Sequence, residues 1–226
     1  MDDSPDLILE VNSRLISPGN EPPERFIHEY AGTLQLRDIN LKRVATIGEF
    51  QVTVLDVENA VNERESAFDV FDCSPDTMGY YDVLFDRDLE LRPEVNRLLY
   101  GDEYGQWDPN TLILHRLAIE RAYRGRGYGL QALQALIEEF RVGIGIIAMK
   151  PFPLQFEGGI RYRTERKQEE VAKYELDALG KDFRKARSKL RRYYRRLGFK
   201  LVPKTEYMVM SADDTANLSV PWRRQV

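Results

Sequence analysis

Between Leu117 and Leu130 the chain reads Leu-Ala-Ile-Glu-Arg-Ala-Tyr-Arg-Gly-Arg-Gly-Tyr-Gly-Leu. An apolar run ends there, glycines follow at 125, 127 and 129, and a helical pattern begins. The first N–H groups of a helix have no partner inside it, and the helix dipole is positive at that end. Glycines lack the Cβ atoms that would keep an anion from those donors, and Arg124 and Arg126 add charge. The chemistry this spacing suits is the cradling of a pyrophosphate. A Walker loop is ruled out, because GxxxxGK[ST] is absent. A dinucleotide-binding turn would want a small residue at Leu130 and an acid near the end of the next strand, where Lys150 stands. The same glycines would also serve a tight strand-to-helix turn that holds nothing.

The second chemical candidate is His115, in the run Thr111–Ile119. Imidazole is the side chain best matched to taking a proton near neutral pH. Strand alternation places 113, 115, 117 and 119 on one face, so His115 is expected to point the same way as Leu117 and Ile119. Glu120 and a bound water compete for the same role, and so does the plain reading of a buried, hydrogen-bonded histidine.

The elements that must position these groups are clearest in the middle of the chain. Thr111–Ile119 is nearly all apolar, as in a central strand covered on both faces. Leu130, Leu133, Leu136, Ile137 and Phe140 share one face of a helix over 129–140. Ile144–Met149 predicts the next strand, ended by Pro151 and Pro153. Upstream, strands are expected at Leu7–Val11, Thr33–Arg37 and Phe50–Val57. A helix broken before Pro75 and a short one at Pro93–Leu99 follow. Downstream, 165–197 reads as charged helix interrupted at Gly180, with Gly198 as its cap and one strand over Phe199–Met210. Strands alternating with helices give an α/β (α+β layered) fold.

Composition narrows the function further. The 226 residues carry a net charge of −4, with 14 acidic and 4 basic residues over Asp56–Glu103 and 15 basic and 6 acidic over Arg161–Lys200. Such halves either attract each other or divide labour between an anion and a cation. The longest apolar run, Val142–Met149, is too short to span a membrane, and the acidic start MDDSPD lacks the basic region of a secretory signal. The lone Cys73 allows no internal disulfide, so a cytoplasmic location is expected. With His28 and His115 as the only histidines, no Cys/His zinc site is expected.

Arg124-Gly-Arg-Gly-Tyr-Gly129 resembles the R/Q-x-x-G-x-G/A signature of the GNAT superfamily of acetyl-CoA-dependent N-acetyltransferases, and Tyr194-Arg-Arg-Leu-Gly-Phe199 is similar to its later Y-x-x-L-G-F element. The resemblance covers about 110–210. It implies a GNAT-like, mostly antiparallel sheet with helices on both faces and splayed middle strands. It also implies one domain over 1–210, with a charged helical insertion at about 157–187 and a polar tail over 211–226. Acetyl-CoA is then the co-substrate, without a metal. The backbone of Leu117, Ala118 and Ile119 would pair with its pantetheine arm, and the main chain of Arg124, Gly125, Arg126, Gly127, Tyr128, Gly129 and Leu130 would hold its pyrophosphate. Tyr194 takes the position of the family's general acid, and His115 is similar to a base histidine of the arylalkylamine branch. Where many relatives carry a cofactor-contacting Asn seven residues before the tyrosine, this chain has Arg187.

The implied function is direct transfer of acetyl from acetyl-CoA to an amine, of a small molecule or a protein. A scaffold that binds acyl-CoA or a macromolecule without transfer is the competing class. Eight Lys or Arg within 184–196 keep an RNA-linked amine such as aminoacyl-tRNA as a minority reading. The net acidity weighs against a nucleic-acid binder, no membrane partner is expected, and the insertion leaves room for a homodimer.

Overall fold

A computed structural model describes residues 6–13, 23–38, 40, 42–101, 108–156, 173–176 and 180–214. Most of the expected insertion and the tail beyond 214 lie outside these residues. Seven strands form one sheet in the order β1-β2-β3-β4-β5-β7-β6. They are β1 (Asp6–Ser13), β2 (Ile27–Arg37), β3 (Arg43–Leu55), β4 (Thr111–Ile119), β5 (Ile146–Met149), β6 (Lys200–Leu201) and β7 (Met208–Ser211). Every neighbouring pair is antiparallel except β4 with β5. That exception follows from the chain, because a helix carries it from the end of β4 back to the start of β5.

The sheet separates two cores. On one face lie α1 (Val57–Asn62), α2 (Ala67–Asp72), α3 (Pro75–Leu84) and α4 (Pro93–Tyr100), whose Val57, Val70, Leu84 and Val95 pack on Ile113, Ile146 and Ala148. On the other, α5 (Tyr128–Phe140) and the end of α6 (Phe183–Arg195) pack Leu133, Leu136 and Leu197 on Leu112, Leu114, Ile147 and Met149. The alternation within β5 assigns neighbouring side chains to opposite cores, as strand geometry requires.

Three expectations change. The helix expected to break before Pro75 is a chain of three short ones, and Pro75 starts α3 rather than ending anything. Proline suits the first helical position, and the Ser74 hydroxyl caps the helix by accepting from Asp76 N–H at 3.2 Å. The single strand expected over Phe199–Met210 is the hairpin β6–β7, turned at Pro203 and closed by Val202 N–H on the Tyr207 carbonyl at 3.0 Å. In the expected 165–197 helix, the part within the described residues is regular only over Phe183–Arg195, with Asp182 as its N-cap.

Candidate active site

Strands β4 and β5 pair only over Thr111–Leu114 and Ile146–Met149. Beyond Met149 the chain meets Pro151 and Pro153, which have no N–H to continue the ladder. Strand β4 runs on to Ile119 with β3 as its neighbour. A wedge therefore opens between the two strands. It holds a cleft of about 380 Å³, its open mouth included, whose walls include Leu114, His115, Leu117, Met149, Phe152 and Tyr194. Leu117 and Ile119 turn their main-chain groups into this wedge. The intervening Ala118 points its carbonyl at Gly48 of β3, close enough that a Cβ there would lie 2.2 Å from it.

His115 does not share a face with Leu117 and Ile119. The β3–β4 register passes from Gln51↔Arg116 to Val52↔Leu114, so His115 is the extra residue of a β-bulge. Before the bulge Leu112 and Leu114 face α5; after it Leu117 and Ile119 do. His115 instead lies with Ile113 on the opposite face, where its Nε2 is 2.9 Å from Thr53 Oγ1. Alternation counted along the sequence fails here because one residue is added to the strand. Burial holds the imidazole below its usual 6.5, partly offset by Asp76 and Glu29.

Tyr194 reaches the wedge from the α5 side. Its ring meets Tyr193 at 5.5 Å and Phe199 at 6.4 Å between centroids. Desolvation alone pushes its phenol up to about 12, so it stays protonated at any working pH. Tyr193 has a different task, as its helical position suggests. A Cβ at Gly129 would stand 2.7 Å from the Tyr193 hydroxyl, so the glycine is what lets α6 close on the first turn of α5. Arg187, standing at the Asn position, is tied to Glu206 and lies over the Phe183 ring at 5.1 Å. Lys150 meets the same Glu206 at 3.4 Å.

The glycine turn presents main-chain donors. Gly125 and Gly127 have φ of +77° and +86°, a region that side-chain-bearing residues occupy at a cost. Gly127 is the N-cap of α5, and its carbonyl takes the N–H groups of Leu130 and Gln131 at 3.0 and 3.1 Å. The N–H groups from Gly125 to Gly129 take no acceptor among the described residues, which leaves a run of donors at a helix N-terminus. Arg126 is exposed beside it. Arg124 is used structurally: its Nε donates to the Ile119 carbonyl at 2.8 Å and its guanidinium also donates to the Tyr174 carbonyl. One carbonyl of the β4 edge is therefore already taken.

Three participants were missed in the sequence. Thr53 reads as an ordinary β-branched strand residue, and Glu29 and Asp76 as surface acids. Their relevance comes from cross-strand register and from where α3 starts, neither of which leaves a local signal. Among the described residues, no helix is long and apolar enough to cross a membrane, and no group of His, Cys, Asp and Glu is arranged to hold a metal ion.

A splayed mixed sheet thus carries a glycine-lined helix N-terminus at the wedge and a phenol inside it. Residues 90–149 match the Acetyltransferase (GNAT) family. No curated protein matches. Among solved structures, that of AtaT complexed with acetyl-methionyl-tRNAfMet aligns at 14% identity over 94% of this chain and 99% of that one, with a TM-score of 0.41. A KacTA–DNA complex aligns at 14% identity over 94% and 98%, with a TM-score of 0.41. A structure described as a bacterial toxin aligns at 12% identity over 98% and 99%, with a TM-score of 0.44.

Proposed function

We propose that this protein transfers acetyl from acetyl-CoA to the nitrogen of an amine acceptor. The observation that carries the reading is that His115 and Tyr194 line one wedge from opposite faces of the sheet. Base and acid are thereby separated by the place where the acyl carbon would sit. The main-chain donors from Gly125 to Gly129 suit the pyrophosphate, and the open groups of Leu117 and the Ile119 N–H suit the amide-bearing arm. When bound, acetyl-CoA supplies the thioester.

His115 accepts the proton that the acceptor nitrogen sheds as it forms its bond to the acyl carbon. Nitrogen becomes far more acidic at that moment, so a base below 6.5 suffices. Tyr194 directs its hydroxyl proton to the departing sulfur. The apolar walls that raise the phenol also raise the basicity of a thiolate beside it, which keeps donor and acceptor matched. Both residues return to their starting states by exchange with solvent through the open mouth.

Calorimetric titration with acetyl-CoA, followed by CoA release across a panel of amines, tests the function. Saturable binding with amine-dependent release is expected. Folded protein that binds no acetyl-CoA would return the wedge to a purely structural role.

Two predictions concern His115. Its folded-state value lies below the unfolded one, so the stability it contributes is present above 6.5 and is lost as pH falls through the lower folded value. Expressed per unprotonated amine, kcat/KM is expected to fall on the acid side with a midpoint below 6.5. His115→Gln should remove that limb and lower the rate about 10² fold, which a pH series on both proteins checks. Thr53 is buried with its hydroxyl 2.9 Å from Nε2, and we assign it as the acceptor from Nε2–H, so that Nδ1 serves as the base. Thr53→Val is expected to lower kcat/KM about 10 fold and move the acid limb further down, and Thr53→Ser to restore both. An unmoved limb in Thr53→Val would make the contact one of packing only.

The exposed cations Arg184, Lys189, Arg192 and Arg195 are in no ion pair among the described residues and ride on α6, on the same side of the sheet as the glycine turn. They fit the nucleotide phosphates of the co-substrate. This favours the small-molecule reading of the basic helix over an RNA-linked acceptor.

A further inference from the structure

Helix α6 carries Tyr194, yet burial does little to anchor it. Its sequence, FRKARSKLRRYYR, offers a narrow apolar stripe, and among the described residues none of α6 is fully buried. Only its end, at Tyr193 and Tyr194, packs on the core beneath α5. Helical spacing puts Arg187, Arg191 and Tyr194 on one stripe, at intervals of four and three. Whatever fixes the two arginines therefore sets the height and rotation of the phenol at the wedge.

Both arginines meet the tip of the β6–β7 hairpin. Glu206 accepts from the Arg187 guanidinium, and the Thr205 carbonyl accepts from Arg191 at 3.4 Å. The second Glu206 oxygen lies 3.4 Å from the ammonium of Lys150, a residue of the cleft wall just past β5. One carboxylate thus joins α6 to the exit from β5. An aromatic contact supports the same junction, with Phe183 of α6 at 5.5 Å from Phe152 and 5.2 Å from Phe156.

The hairpin tip is a rigid post. Lys204 has φ +60°, a region that a residue with a Cβ occupies at a cost. Such a conformation lasts only where its surroundings over-determine it. Here Thr205 donates twice to the Val202 carbonyl, from N–H at 3.2 Å and from Oγ1 at 2.9 Å, and its Oγ1 accepts from Tyr207 N–H at 3.1 Å. Tyr207 is wedged against α3. Its ring lies 4.8 Å from that of Tyr80, and its hydroxyl stands where a Cβ on Gly79 would be only 2.3 Å away. The tip is therefore held by the layer of α3 and grips α6 on the other side of the sheet.

Resting on the reading of Tyr194 as the acid of the wedge, we propose that Glu206 is a positioning residue for that phenol, holding α6 through Arg187 at the height where the hydroxyl meets the departing sulfur. Glu206 reaches the chemistry only through the cations it holds. The Arg187 side chain is 23% exposed, so the pair has more cover than a free surface ion pair and keeps one geometry. A misplacement of about 1 Å at a reacting group costs up to roughly 10² in rate, so loosening of α6 is read in kcat rather than in cofactor affinity.

The test follows CoA release by the intact chain at saturating acetyl-CoA, with whichever amine of the panel is turned over fastest, beside calorimetry with acetyl-CoA alone. Glu206→Gln keeps the shape of the side chain and removes its charge. It is expected to lower kcat about tenfold and to leave the Kd for acetyl-CoA within about twofold. Glu206→Asp should recover most of the loss. Arg187→Met should reproduce it, and stands in for Glu206→Gln if that protein fails to fold. Hydrogen exchange at the amides of α6 should be several fold faster in both. In a Tyr194→Phe background, Glu206→Gln should change kcat by less than about twofold, because no hydroxyl is left to position. Additive losses in the double variant, an unchanged kcat in Glu206→Gln, or a loss confined to acetyl-CoA affinity would overturn the proposal. No acetyl-CoA binding by the unaltered protein, or full activity in Tyr194→Phe, would overturn the underlying reading as well. Binding together with a Tyr194 effect, but no Glu206 effect, would remove the positioning role alone.

Discussion

Gly127→Glu is expected to abolish detectable acetyl-CoA binding, weakening it at least 10² fold, while the protein stays folded. Two effects coincide at this position. The glycine has φ +86°, where a residue with a Cβ costs about 1–2 kcal/mol. It also caps α5, so a carboxylate there sits among the N–H groups proposed to hold a phosphate. Gly127→Ala separates the two, because it brings the backbone cost without the charge. The alanine variant should lose a few degrees of Tm, at about 2–4 °C per kcal/mol for a domain of this size, and bind only several fold more weakly. Calorimetry with thermal melts on both proteins checks this. Equal binding by wild type and the glutamate variant would remove the turn from the cofactor site.

The second large effect is expected at Tyr194. Tyr194→Phe should lower kcat about 10²–10³ fold and leave the KM for acetyl-CoA within a few fold, the pattern of a group that acts in the chemical step. Phenylalanine keeps the ring that packs on Tyr193 and Phe199, so stability should change little. Tyr193→Phe is the control. The Tyr193 ring, also raised by burial, docks on Gly129, and its hydroxyl is not among the walls of the cleft. Activity within about threefold of wild type is expected there. If the two tyrosines lost activity alike, a shared packing role would explain both and proton donation by Tyr194 would fall.

Much of the site could be read in the chain because its signals are local. Gly125, Gly127 and Gly129 announce a turn with positive φ and close approach, and two of them have the left-handed backbone that only glycine adopts without cost. Thr111–Ile119 is a strand within the bounds that its apolar run marks, since burial on both faces demands that run. The stripe Leu133, Leu136, Ile137 lies against the sheet as helical spacing requires. Pro75 was misread because proline opens a helix as readily as it ends one, and the capping Ser74 decides between the two.

The sequence by itself therefore determined the strand β4, the glycine turn and helix that follow it, the tyrosine at the end of α6 and the two oppositely charged halves. Each is written in neighbouring residues. Tertiary structure alone decided which way His115 faces, because a bulge exists only relative to the partner strand whose register it breaks. It also decided that Arg124 braces β4 and the segment at Tyr174, and that Thr53 holds the imidazole. Those contacts join residues from 5 to 62 positions apart. Hydrogen bonds and charges act through space, so a pattern confined to neighbours along the chain carries no record of them.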